Sequence, residues 1–429
     1  MSNLAINGGR PVRSKYFPKQ VYNYNSNALM DKIRKEEILS GYRGSAGKYF
    51  WGGEHCLELE KRFSEMFNAK HSISVNSCTS ALLAACAAIG LNPGDEVIVT
   101  PFSMSCSATI PLHFGAIPVF ADIEEDYFCL NPRSIEEKIT KRTKAIIVVD
   151  LFGQPYDVGT IKKIAIENGL YIIEDAAQSL GAHAGGYGYA GTFGDIGCFS
   201  FTQGKHISAG EGGMIITNND LLAQRCAMFR NHAEAVNNDL NDERFDDLAG
   251  LNLRMTELQA MMVLNQLPLI PYRMDDILSR VKTLNELIEN EYISPAKIRK
   301  NCGHTYYVQA FKYNHPKISR NKFIEAVKAE LMPDLQRLDR GVPIGNGYIK
   351  PLYLIPLFQN LRHWAWGLNL GINTDAVYDY DKGLCPTAER LHDVDLFISM
   401  YHLLDLSAED IQDVGRAFKK VSDNIHELE

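Results

Sequence analysis

The sequence predicts an α/β fold, a mostly parallel central sheet with helices on both faces, followed by a smaller α+β C-terminal domain. Two observations carry this. Through the middle of the chain, short β-branched runs alternate with helical stretches and Gly/Pro turns. From about Met255 the texture changes to long amphipathic helices. In order, HSISV reads as a strand, followed by the apolar ALLAACAAIG, the turn NPGDE and the strand EVIVT. IPVFADI precedes the helical SIEEKIT, and KAIIVVD precedes VGTIKKIAIENG, which leads into the strand LYIIED. CFSF is aromatic and strand-like; MTELQAMMVLNQL and DDILSRVKTLNELIEN read as helices, and TYYVQAFKY as a later strand. The division expected is an N-terminal arm (1–40), a large α/β domain (41–265) and a small α+β domain (266–429).

Bulk properties set limits. A chain of 429 residues that is 45% hydrophobic and 22% charged has the composition of a soluble globular enzyme. The opening MSNLAINGGRPVRSK has no apolar core for a signal peptide, and no run is long enough to span a membrane, so no membrane partner is expected. Nine cysteines are scattered from Cys56 to Cys385 without a C-x-x-C pair, which argues against a disulfide framework or structural zinc and for reduced thiols in the cytoplasm. A net charge of −8 speaks against nucleic acid as a partner. Residues 10–48 are a local exception, with nine Lys/Arg against three Asp/Glu. They read either as a solvated arm or as a basic segment facing an anionic substrate.

Ligands of an open parallel sheet bind beyond the carboxyl ends of its strands. Four motifs fall at such ends. In NSCTSALLAAC a strand ends at Val75 and an alanine-rich helix begins. Its free N–H groups, with Ser77, Thr79 and Ser80, could bind phosphate, although the pattern is equally that of an ordinary N-cap. IIEDAAQSLGA ends a buried strand in Glu174-Asp175. One carboxylate there could cap a helix, bind a metal or pair with a protonated ring nitrogen; no His/Asp cluster accompanies it, so no metal is expected. FSFTQGKHISAGEGG places Lys205 between a strand and a glycine-rich turn, five residues after Ser200, and Gly212-Gly213 read as turn glycines that let backbone pass close to the lysine. GGYGYAGTFGD contains G-x-G-x-x-G but does not run from strand to helix, and reads as a loop.

A phosphate cradle, a buried aspartate and an isolated lysine have one economical explanation in pyridoxal 5'-phosphate. Its aldehyde forms a Schiff base with a lysine, its phosphate needs fixed donors, and its pyridinium nitrogen needs an anion that keeps the ring protonated. An aspartate beside a cation is held ionised, and a partly desolvated amine loses its proton more readily.

With these motifs in hand, the sequence resembles the DegT-type sugar aminotransferases, a family of fold-type I pyridoxal phosphate enzymes. The similarity runs through NSCTSALLAACAAIGLNPGDEVIV, DLFGQPYDV, IIEDAAQSLGA, FGDIGCFSF, KHISAGEGG, LNLRMTELQA and the tail DLFISMYHLLDLSAEDIQDV. The resemblance implies that Lys205 bonds the cofactor aldehyde, Asp175 pairs with the ring nitrogen, and Gln178 contacts the ring or its hydroxyl side. It places Cys78, Thr79 and Ser200 at the phosphate. It also implies a homodimer with shared sites, Asn252 reaching the neighbour's cofactor and Arg254 its substrate.

Three departures from the family pattern stand out. Cys78 replaces the usual glycine, and Met104 in TPFSMS replaces an aromatic that stacks on the ring, where a polarizable sulfur would cover the π face instead. Phe102 has the register of a core residue. Tyr307 stands where the family often has histidine, so a polar group of the substrate pocket differs. His304 and the other histidines show no ligand spacing and are taken as structural.

The reaction implied is transfer of an amino group from L-glutamate or L-glutamine to a keto substrate, Lys205 acting as general base and then acid. Most of the family aminate nucleotide-linked keto sugars for polysaccharide or aminosugar biosynthesis. LAINGGRPVR and GYIKPLYLIPLF look more like the branch with inosose aminotransferases and aminohydroxybenzoate synthases, whose acceptors carry no nucleotide. Two rivals remain: a lyase or dehydratase on the same cofactor, against which Lys205 argues because dehydratase relatives carry histidine there, and a non-catalytic regulator of the same fold.

Overall fold

The computed structural model describes residues 2–22, 24, 26–36, 38–336, 338–360 and 380–429. Five strands appear in the order expected: β1 (His71–Val75), β2 (Glu96–Val99), β3 (Ile117–Phe120), β4 (Thr143–Val149) and β5 (Tyr171–Asp175). A short hairpin follows, β6 (His183–Ala184) and β7 (Gly188–Tyr189), then β8 (Ile196–Ser200) and β9 (Gly213–Thr217). The large sheet has the order β1-β9-β8-β5-β4-β2-β3. β9 runs antiparallel to both its neighbours, and the pairings from β8 through to β3 are parallel. β2 is buried along its whole length, and β4 from Ala145 onward, as strands covered by helices on both faces require.

Local chemistry sets the helix ends. Helix Val158–Asn168 starts at Asp157, whose carboxylate accepts from the Thr160 N–H, and stops at Gly169, whose φ of +64° a side chain would resist. Helix Glu257–Gln266 opens with a reciprocal capping box between Thr256 and Gln259. A cap of this kind contributes about 1 kcal/mol.

The later strands are β10 (Ile293–Pro295), β11 (Cys302–Gly303), β12 (Gln309–Tyr313), β13 (Ile344–Asn346) and β14 (Leu396–Ser399). Four of them form an antiparallel sheet, β10-β12-β14-β13. A second core gathers here around Phe311 and Phe397, stacked at 5.0 Å, with Phe323 and Phe418. Leu4 and Phe17 are buried in the same core. Arg13 lies 2.7 Å from both Asp410 and Asp413, so part of the basic N-terminal segment is spent on ion pairs within the fold. By contrast Leu352, Tyr353, Phe358 and Leu391 pack into the core of the large sheet.

β11, β6 and β7 form a small third sheet. Gly186, Gly188 and Gly191, all at positive φ, belong to this hairpin and the turn after it. The G-x-G-x-x-G is thus a turn, in keeping with its reading as a loop. All nine cysteines are free thiols. Among the described residues no helix is long and apolar enough to cross a membrane.

Candidate active site

The candidate site lies beyond the carboxyl ends of β1, β5 and β8. Alternation along β5 sends its last two carboxylates to different tasks. Glu174 turns toward the 191–194 turn and accepts from the N–H groups of Gly191 (2.5 Å), Phe193 (3.0 Å) and Gly194 (3.1 Å). That is a structural role. Asp175, only 3% exposed, accepts from Ser107 Oγ at 2.7 Å and from the Ala177 N–H at 3.2 Å. Burial pushes its carboxyl above the usual range, while the Ser107 and Ala177 donors and the charge of Lys205 act the other way.

Helix Cys78–Ala88 begins beside this carboxylate. Ser77 caps it by accepting from the Ser80 N–H at 3.0 Å. Cys78 sits in the first turn with an ordinary helical backbone, and its thiol points down to Asp175 Oδ1 at 3.9 Å. Its side chain is therefore accommodated below the helix start. Burial, then the Asp175 charge, raises this thiol well above its ordinary range, so it stays protonated. Thr79 is exposed at the helix start.

Gly213 acts here rather than at the lysine, contrary to the expectation for Gly212-Gly213. A Cβ on Gly213 would lie 2.5 Å from the Ser77 carbonyl carbon and 2.7 Å from Cys78 N. The first residue of β9 must be glycine for the helix start to sit this low. Gly213→Ala is expected to push the helix start outward and cost roughly 1–3 kcal/mol of stability, with weaker cofactor retention; thermal melts and dialysis against cofactor-free buffer check it.

Lys205 extends from the loop after β8. Its Nζ lies 4.0 Å from the centre of the Tyr307 ring, a cation–π contact of about 0.5–1 kcal/mol. The segment presenting Tyr307 is strained: Tyr306 has φ +48°, and Phe152, whose carbonyl accepts from Tyr307 N at 2.8 Å, has φ +62°. Three buried histidines hold this segment. His206 Nε2 lies 2.9 Å from the Thr305 carbonyl, His402 Nε2 lies 2.6 Å from the Tyr306 carbonyl, and His304 Nδ1 accepts from Tyr306 N at 2.9 Å. Burial depresses their pKa to about 3 (His206), about 3 (His304) and about 4 (His402), so all three are neutral near pH 7.

Gln178 is fixed at both ends. Its Oε1 accepts from the Phe152 N–H at 2.8 Å and its Nε2 donates to the Tyr348 hydroxyl at 3.1 Å. One N–H of that amide is left over for a ligand. Tyr348 packs edge-on against Phe152 (4.8 Å) and Phe102 (5.5 Å), and Phe102 is fully buried, as its register implies.

The structure thus gathers Cys78, Asp175, Gln178, Lys205 and Tyr307 around one space, with Ser200 at the end of β8. Met104 stands apart, 64% exposed. Asn252 and Arg254 lie on the flank, Arg254 Nε donating to Asn252 Oδ1 at 2.7 Å, while the Leu253 carbonyl between them accepts from Asn76 N at the end of β1. Sequence reading missed Ser107 and Tyr348. Ser107 lies two residues beyond the TPFSMS stretch, and Tyr348 lies within GYIKPLYLIPLF.

The donor set suits pyridoxal phosphate chemically. A buried carboxylate faces inward where a protonated pyridine nitrogen would need it. A lysine amine stands nearby, and a helix N-terminus with hydroxyl side chains offers N–H and O–H donors for a phosphate.

Residues 32–366 match the model of the DegT/DnrJ/EryC1/StrS aminotransferase family. The GDP-perosamine synthase of Vibrio cholerae is 31% identical to this chain, covering 80% of it and 87% of the synthase. The L-glutamine:2-deoxy-scyllo-inosose aminotransferase of Streptomyces kanamyceticus is 30% identical over 98% of this chain and 97% of its own. Among solved structures, an aminotransferase from Psychrobacter cryohalolentis matches with a TM-score of 0.79 at 27% identity, covering 96% of this chain and 100% of that one.

Proposed function

The chain belongs to the DegT/DnrJ/EryC1/StrS aminotransferase family, whose members depend on pyridoxal phosphate, and on that premise we propose that it moves an amino group from L-glutamate or L-glutamine onto the ketone of a nucleotide-linked or phosphorylated sugar. The observation that carries this reading is the buried Asp175 carboxylate at the end of β5, held by Ser107 and Ala177 beside the start of helix Cys78–Ala88.

When bound, the cofactor supplies an electron sink for the pair released from the donor's Cα–H bond and carries the nitrogen between substrates. The chain's residues do the rest. Asp175 would hold the ring nitrogen's proton, the charge of a protonated ring acting against the burial that raises its pKa. The N-terminus of helix Cys78–Ala88, with the hydroxyls of Thr79 and Ser200, holds the phosphate. Gln178 would offer its remaining N–H to the ring's hydroxyl side. Lys205 Nζ, poised above Tyr307, takes the proton from the donor Cα and returns it as the nitrogen is passed on. The same transfers run in reverse on the acceptor ketone. Tyr307 lines the acceptor pocket. In a homodimer, the Asn252–Arg254 pair would reach the neighbouring site, Asn252 toward the cofactor and Arg254 toward the substrate.

A second acceptor class, cyclitol ketones, is favoured by the near full-length similarity to the inosose aminotransferase. The protein loaded with pyridoxamine phosphate and offered ketones of each class decides between them. Loss of the amine form's absorbance is expected with sugar ketones. Loss with cyclitol ketones alone moves the acceptor to the second class, and no loss with any ketone sinks the aminotransfer reading.

A further inference from the structure

The loop that carries Lys205 is held from outside by the N-terminal arm. The Tyr22 hydroxyl accepts from the Gly204 N–H at 2.9 Å and donates to the Lys205 carbonyl at 3.0 Å. Gln20 Nε2 donates to the same carbonyl at 3.3 Å, and the Tyr24 hydroxyl donates to Gln203 Oε1 at 3.3 Å. Three consecutive loop residues, Gln203, Gly204 and Lys205, thus each take a side chain from the arm.

The arm is pinned on its other side as well. The Arg273 guanidinium lies over the Tyr22 ring at 4.7 Å and donates to the Val21 carbonyl at 3.0 Å, and Asn265 Nδ2 donates to the Tyr24 carbonyl at 3.2 Å. The loop's own backbone is a turn, with Gly204 at φ +99° and Lys205 N bonded back to the Thr202 carbonyl at 3.2 Å. Such a turn has freedom that a strand lacks.

We propose that Gln20, Tyr22 and Tyr24 form a strap that fixes the Lys205 loop, and that Tyr22 is a positioning residue for the Lys205 amine. The proposal rests on the reading of Lys205 as the reacting amine. A hydroxyl that accepts from the Gly204 N–H and donates to the Lys205 carbonyl bridges the backbone on both sides of the Lys205 Cα, from which the lysine side chain departs. Misplacing a reacting group by about 1 Å costs on the order of 10²-fold in rate. The arm enters here through hydroxyl, amide and ring contacts, so its role at the lysine does not depend on its excess of basic side chains.

Tyr22→Phe keeps the ring beneath Arg273 and removes both hydroxyl bonds. Deuterium exchange of the Gly204 amide is expected to quicken about tenfold. At the same time kcat should fall at least about tenfold with KM for the amino donor within about twofold, and the melting temperature should hardly move. Unchanged exchange at Gly204, or an unchanged kcat, overturns the strap. Borohydride trapping of the wild-type holoenzyme with peptide mapping separates the two readings. A label away from residue 205 removes the premise and with it the positioning role; a label on Lys205 with unchanged Tyr22→Phe behaviour removes the strap alone. Should Tyr22→Phe fail to fold, Gln20→Ala removes the other donor to the Lys205 carbonyl: kcat should again fall with KM for the donor held within about twofold, and an unchanged kcat overturns the strap.

Discussion

Lys205→Ala is expected to lower turnover by at least about 10⁴-fold while leaving the chain folded. On the proposed reading the side chain has two tasks in the reaction, and it has a small one in the fold. Its Nζ contacts the face of Tyr307 at 4.0 Å, and losing that contact costs about 1 kcal/mol or less. The loop's shape comes from backbone bonds and from Gln20 and Tyr22, which bind the main chain of residue 205 rather than its amine. Circular dichroism and melting temperature should therefore match the wild type, single-turnover kinetics with L-glutamate should not, and full activity in this variant would refute the assignment.

Asp175→Asn separates cofactor chemistry from stability in the opposite sense. In the cofactor-free protein the carboxylate is almost wholly buried, and burial raises its pKa. A group whose folded pKa is raised contributes stability at low pH that is lost as pH rises through the folded value. At neutral pH the apo protein therefore bears the cost of keeping an ionisable carboxyl buried, which the isosteric amide removes while still accepting from Ser107. Apo Asp175→Asn should melt no lower than the apo wild type. The loaded enzyme, lacking the anion opposite the ring nitrogen, should lose about 10²–10³-fold in kcat. A large drop in the apo melting temperature would show that Asp175 is needed chiefly for folding.

What could be read from the sequence is what the chain encodes locally. Lys205, Asp175 and the helix start at Cys78 each sit at the end of a periodic run, and periodicity together with strand ends locates them. The elements around them come from far away in sequence. Ser107 reaches Asp175 across 68 residues, Tyr348 reaches Gln178 across 170, and Tyr22 reaches Gly204 across 182. No local pattern marks such partners, because a serine or tyrosine in a loop looks the same whether or not the fold brings it home. Strand β9 illustrates another limit. GMIIT is apolar enough for a strand, but its antiparallel direction follows from the short connection after the lysine loop. Gly213 is likewise a glycine in a turn until the helix it packs under is in place. Met104 stays unexplained by packing: at 64% exposure nothing in the chain holds its sulfur over the site.

The anchoring of the arm bears on how the protein is made. All seven strands of the large sheet are complete by Thr217, so that sheet can assemble while the ribosome is still adding residues. The arm emerges first, yet Leu4 and Phe17 pack with Phe397 and Phe418, and Arg13 pairs with Asp413, 400 positions later. The earliest segment translated therefore waits for one of the latest before it can dock. A nascent chain stalled short of helix Ala408–Asp423 would hold a formed sheet while Arg13 lacks Asp413 and the core around Leu4 and Phe17 lacks Phe418.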